Sequence, residues 1–103
     1  MGWIGVDLDG TLAKYDGNYE QGKIGDPVRP MLRRVKQWVA DGKDVRIFTA
    51  RANNAEDRRA IGDWTEVWVG KRLPVTNVKE PGVEEIWDEK ARRVEANTGR
   101  LIG

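Results

Sequence analysis

Asp7 and Asp9 flank Leu8 in the run Asp7-Leu8-Asp9-Gly10-Thr11-Leu12, directly behind the apolar run Trp3-Ile4-Gly5-Val6. Side chains alternate along a strand, so a strand ending this way sends Asp7 and Asp9 to one side, and Gly10 lets the backbone turn sharply without a Cβ clash. Two acids one residue apart repel unless a cation or a shared proton sits between them. Such a pair can supply a nucleophile and a general acid or base.

The remaining composition narrows the chemistry. The chain has no cysteine and no histidine, which excludes disulfides, thiolate nucleophiles and the commonest transition-metal ligands. Catalysis must run on carboxylates, hydroxyls, Lys, Arg and backbone, and any metal must be a hard cation such as Mg²⁺ that accepts oxygen ligands. Candidates stand behind later segments that read as extended: Thr49 after Val45–Phe48, Lys79 after Thr76-Asn77-Val78, and the pair Asp88-Glu89 after Ile86-Trp87. Arg51 either holds a substrate's leaving group or pairs with an acidic neighbour.

These residues need a scaffold. Trp3 to Leu8 reads as a first strand, followed by the glycine-rich stretch Gly10 to Asp26, a flap beside the site. Pro30 suits the first turn of a helix running to about Asp41, with Met31, Leu32, Val35, Trp38 and Val39 on its apolar face and Gly42 as its stop. Val45 to Thr49 is a second strand. Asn53 or Asn54 caps a second helix carrying Ile61, Trp64 and Trp68 and ending at Gly70. Leu73 to Val78, Glu85 to Asp88 and Arg92 to Glu95 are further extended segments. The alternation predicts an α/β fold with a mostly parallel sheet, helices on both faces, and a site at the carboxyl ends of the strands. One feature strains it: a parallel crossover takes about ten residues or more, and Lys79 to Glu84 is shorter. Either the connecting helix is missing or one segment is not a true sheet strand.

With 103 residues the chain makes one domain, residues 1–103, and its 39% hydrophobic and 34% charged content describes a globular protein. No run approaches a membrane span, the first residues read as a strand and not as a targeting signal, and the expected compartment is the cytoplasm. A net charge of +1 gives no global reason to expect nucleic acid. Basic clusters such as Arg33, Arg34 and Lys36 have acids interspersed and read as solvated faces. Trp64 and Trp68, one turn apart, read as core or as a homodimer contact.

Asp7 to Leu12, then Thr49, then Lys79, then Asp88-Glu89 resemble in order and context the four motifs of the haloacid dehalogenase superfamily. The resemblance spans most of the chain. Thr-Ala-Arg behind the second strand, and the run from Thr76-Asn77-Val78-Lys79 to Asn97-Thr98-Gly99, look like small phage-type members. It implies a minimal Rossmann-like, three-layer core without a cap domain, Mg²⁺, and hydrolysis of a phosphorylated substrate through an aspartyl phosphate. By that resemblance Asp7 is the nucleophile, Asp9 the general acid and base and a metal ligand through its main-chain carbonyl, and Asp88 the distal metal ligand. Thr49 and Lys79 hold the phosphoryl group, and Gly10 and Arg51 lie against the substrate. Glu89 is a departure, since such relatives often carry paired aspartates. Phosphomonoester hydrolysis at a capless site open to bulky substrates is the leading expectation. Leu12-Ala13-Lys14 is faintly similar to polynucleotide 3′-phosphatase domains, and a phosphate-binding module without turnover is the third alternative.

Overall fold

The computed structural model describes residues 2–103. Strand β1 (Trp3–Val6) is followed by helix α1 (Arg29–Ala40), strand β2 (Asp44–Phe48), a 3₁₀ turn (Ala50–Asn53), helix α2 (Ala55–Trp68), and strands β3 (Val75–Thr76) and β4 (Val83–Trp87). The sheet order is β3-β2-β1-β4, and every pairing is parallel. All four strands therefore end on the same rim. Among the described residues no helix is long and apolar enough to cross a membrane.

The two helices share one face. Going from β1 to β2 and from β2 to β3 moves in the same direction across the sheet, and right-handed crossovers then place both connecting helices on the same side. Ile4, Val6, Val45 and Ile47 from the sheet, Met31, Leu32 and Val35 from α1, and Ile61 from α2 form one cluster. Each fully buried aliphatic side chain there stabilises by about 1.5–3 kcal/mol, against at most about 1 kcal/mol for an exposed ion pair, so this face holds the fold. Trp38 and Val39 of α1, and Trp64 and Trp68 of α2, are half-buried at its margin.

Among the described residues the opposite face carries no helix, which corrects the three-layer expectation. From β3 to β4 the chain crosses the whole sheet using residues 77–82 alone. Three strand spacings of about 4.8 Å lie within reach of an extended chain at about 3.4 Å per residue, but leave no length for a helix. This strap lies over Trp3 and Arg46: Glu80 approaches Arg46 at 3.9 Å, and the Trp3 N–H donates to the Gly82 carbonyl at 3.0 Å. Beneath it Trp3 and Phe48 meet with ring centroids 6.2 Å apart. A Cβ on Gly5 would lie 3.2 Å from the Trp3 ring and 3.3 Å from the Phe48 Cβ, so a larger residue there would push these neighbours back by a few tenths of an ångström.

The expected strand at Arg92 to Glu95 shrinks to a single antiparallel bridge between Val94 and Leu101. The turn between them is tied by the Glu95 N–H donating to the Arg100 carbonyl at 2.7 Å. Too few residues are in register there to continue a ladder.

Candidate active site

Chain order reverses between β1 and β4, because the crossover leaving β1 goes to β2 while β4 arrives on its other side. Crevices at such switch points, outside the carboxyl ends of the strands, are where α/β sheets bind ligands. Asp7 follows β1 by one residue and Asp88 follows β4 by one, and the Asp7 N–H donates to the Trp87 carbonyl at 2.9 Å, carrying the pairing one step further. Carboxylate oxygens of Asp7, Asp88 and Glu89 all lie within 4.8 Å of one another.

Glu89 is held in this cluster by the turn behind β1. Thr11 Oγ1 donates to Glu89 Oε1 at 2.6 Å and accepts the Glu89 N–H at 3.1 Å, tying the two strand ends together. The turn is itself fixed, since the N–H groups of Thr11, Leu12 and Ala13 all point to the Leu8 carbonyl at 3.1, 3.0 and 2.9 Å. Gly10 sits at φ +90°, and a Cβ there would lie 2.5 Å from Glu89 Oε2. Both the turn and the close carboxylate require glycine at this position.

The electrostatics follow from the crowding. Burial pushes Asp7 up to about 7, helped by the charge of Asp88 and a hydrogen bond with Glu89, against a smaller opposing effect of the Leu8 N–H. The Thr11 hydroxyl holds Glu89 below its usual value, outweighing its partial burial. Crowding without a cation therefore acts on Asp7 and Glu89 in opposite directions. Three converging hard oxygen donors suit a divalent cation of the Mg²⁺ class, and the chain has no histidine or cysteine to add a softer ligand.

Asp9 is elsewhere. Arg51 Nε donates to its Oδ2 at 2.8 Å and Arg51 Nη2 to its Oδ1 at 2.9 Å, a two-pronged pair that occupies both carboxylate oxygens. Strand β1 ends at Val6, so the alternation expected to set Asp7 and Asp9 on one side does not extend to Asp9. Leu8 already belongs to the turn, so strand alternation no longer decides where Asp9 points. Arg51 is buried, and its Nη1 donates to the carbonyls of Lys23 at 2.9 Å and Glu20 at 3.3 Å and to Asp57 Oδ1 at 3.4 Å. Of the two roles open to Arg51, this structure fills the acidic pairing.

Thr49 is buried at the end of β2, where its Oγ1 accepts the Arg51 N–H at 3.2 Å and caps the 3₁₀ turn. Its own hydroxyl hydrogen stays available. Lys79 lies exposed on the strap and makes no ion pair with Asp7, Asp88 or Glu89 among the described residues. Asp7, Asp88 and Glu89 are thus brought together, Asp9 and Arg51 form a second group, and Lys79 joins neither.

Segment 14–26 is fastened onto α2. The Tyr19 hydroxyl donates to Asp57 Oδ2 at 2.5 Å, the Gly22 N–H to Asp57 Oδ1 at 2.7 Å, and Trp64 Nε1 to the Gly25 carbonyl at 3.1 Å. Between this flap and the Asp9–Arg51 pair lies a cavity of about 300 Å³. No family model matches the chain, and no curated protein or solved structure matches it significantly. What the site can do chemically follows from these side chains. Thr11, Asp57 and Tyr19 were not singled out by sequence. Thr11 stood inside the first motif, whereas Asp57 looks like any acid in the first turn of a helix and Tyr19 like any loop aromatic.

Proposed function

We propose that this chain is a Mg²⁺-dependent phosphomonoesterase of the haloacid dehalogenase type, working through an aspartyl phosphate on Asp7. The observation that carries the reading is the convergence of Asp7, Asp88 and Glu89 at the ends of two adjacent parallel strands, on the switch point of the sheet.

Asp7 and Asp88, with the main-chain carbonyl of Asp9, would hold the cation. When bound it supplies the charge neutralisation that lets a carboxylate approach a phosphate dianion. An Asp7 oxygen forms the new bond to phosphorus while the bond to the leaving oxygen breaks, and that oxygen takes a proton from Asp9. In the second half Asp9 takes a proton from water, whose oxygen displaces Asp7 and releases phosphate. Thr49 offers its hydroxyl to a phosphoryl oxygen, and Lys79 must swing from the strap to add its charge. Because Arg51 occupies both oxygens of Asp9, the substrate must draw Arg51 partly away before Asp9 can exchange protons.

Phosphate release from an aryl phosphate, measured with Mg²⁺ and again in a chelator, tests this. Turnover should require Mg²⁺ and vanish in Asp7→Asn, whose amide is nearly isosteric but a poor nucleophile. Full activity in the chelator, or retention of more than a trace in the variant, would overturn it. A second reading, a metal- and phosphate-binding module without turnover, is favoured by the Asp9–Arg51 pair and by the distance of Lys79 from any ion pair. Mg²⁺-dependent phosphate binding with no release from any ester would establish it.

A further inference from the structure

We propose that the cavity between the flap and the Asp9–Arg51 pair receives the substrate's leaving group, and that it is built for a compact, uncharged, hydroxyl-rich alcohol. The inference rests on the phosphatase reading for its orientation, since Asp9 there protonates the leaving oxygen and Asp9 lines this cavity.

Size and charge both select. A volume of about 300 Å³ stands at the small end of ligand sites, so it admits one compact organic group. The lining is charge-balanced: Arg51 is matched by Asp9, and Lys14 and Lys23 by Asp16 and Glu20, with Lys23 and Glu20 already paired at 3.6 Å. Recognition of a nucleic-acid strand needs an excess of Lys and Arg to displace counterions, and the walls offer none. A charged leaving group would meet three cations and three anions, walls whose net charge favours neither sign. What the walls do offer is hydrogen bonding from Asn18, acceptor oxygens on Asp16 and Glu20, and the partly exposed ring of Tyr15 to cover C–H groups, which together match a polyol or sugar.

The wall is built before any ligand arrives. Asp57 is 1% exposed, and its two oxygens are spent on Tyr19 and Gly22 of the flap. Arg51 donates to two flap carbonyls while stacking on the Tyr19 ring at 4.8 Å. Asp16 accepts the Asn18 N–H at 2.8 Å, which fixes the turn that presents both residues. The backbone of the flap is thus anchored through the buried Asp57, and the part of the wall that must move on binding is the Arg51 side chain.

Calorimetry on the Asp7→Asn protein in Mg²⁺, with glucitol 6-phosphate, inorganic phosphate and a 3′-phosphorylated tetranucleotide as probes, tests the assignment. Glucitol 6-phosphate should bind about tenfold more tightly than either of the others. Tyr15→Ala combined with Asn18→Ala should erase that preference while leaving inorganic phosphate binding in place. Equal or tighter binding of the tetranucleotide, no binding of glucitol 6-phosphate, or equal weakening of all probes by the double variant overturns the proposal. Failure of the wild-type chain to hydrolyse an aryl phosphate would strike the phosphatase reading alone, because the binding order in Asp7→Asn decides the cavity independently.

Discussion

Asp7 carries the largest electrostatic burden in the molecule, because its carboxyl is partly buried beside Asp88 and Glu89. A carboxyl whose folded pKa is raised favours the fold while protonated, and that contribution is lost as the pH rises from about 4, the ordinary carboxylate value, through about 7. Asp7→Asn removes the charge and keeps the shape. In a chelator at pH 8 the variant should therefore unfold at higher urea than the wild type, by on the order of 1–2 kcal/mol, and the difference should close toward pH 4. A variant less stable than the wild type at pH 8 would show that the three carboxylates do not strain the fold. Thr11 belongs to the same account. Thr11→Val keeps the volume but removes both hydrogen bonds to Glu89, so it should weaken Mg²⁺ binding several-fold in a direct titration, while Asp7 and Asp88 remain in place.

Helix α2 does more than cover the sheet, since its first turn fastens the flap. Asn54 accepts the Asp57 N–H at 2.9 Å as the N-cap, which leaves the Asp57 carboxylate free to reach Tyr19, Gly22 and Arg51. Burial acts to raise the pKa of Asp57, but the Tyr19 hydroxyl, the Gly22 N–H and Arg51 outweigh it and hold the carboxyl below its usual value. A depressed carboxyl contributes stability that is complete above about pH 4 and is lost as the pH falls through the folded pKa. Asp57→Asn should therefore flatten the acid limb of a stability-against-pH curve. Asp57→Ala, which also strands Arg51 and the flap donors, should cost about 3 kcal/mol or more at pH 7. An unchanged acid limb in Asp57→Asn would mean that the clasp contributes no linkage. The bounds of α2 were legible in sequence because a cap, an apolar spacing and a terminal glycine are local signals. The clasp was not, because nothing local distinguishes an acid that serves its own helix from one that holds a loop 35 residues earlier in the chain. The placement of Asp9 was hidden for a related reason: where a strand ends is settled by its neighbours, and one residue decides which way the next carboxylate turns.

At the scale of the whole molecule, the sheet has one helical face and one face covered by the strap 77–82. A parallel sheet was readable from the alternation of apolar runs and helices, but its strand order was not, and the shortness of the third connection left open whether a helix was missing or a segment was no strand. What replaces the helix was not readable, since a six-residue stretch with no periodicity carries no mark of the surface it lies on. The structure assigns that cover largely to Arg46, whose guanidinium lies 4.5 Å from the centre of the Trp3 ring between Asp44 at 2.8 Å and Glu80 at 3.9 Å. Two effects compete to explain how it holds the strap. Asp44 and Glu80 are about half exposed, so their ion pairs are worth little, whereas the Arg46 stem and its stacking shield a buried ring. Arg46→Ala should then cost about 1–2 kcal/mol in urea unfolding and shift tryptophan emission to the red. Glu80→Gln should cost under about 0.5 kcal/mol, and Arg46→Met should recover most of the loss by restoring the stem. If Glu80→Gln proves as damaging as Arg46→Ala, the strap is tied by charge instead, and its hold on this face should weaken steeply with added salt.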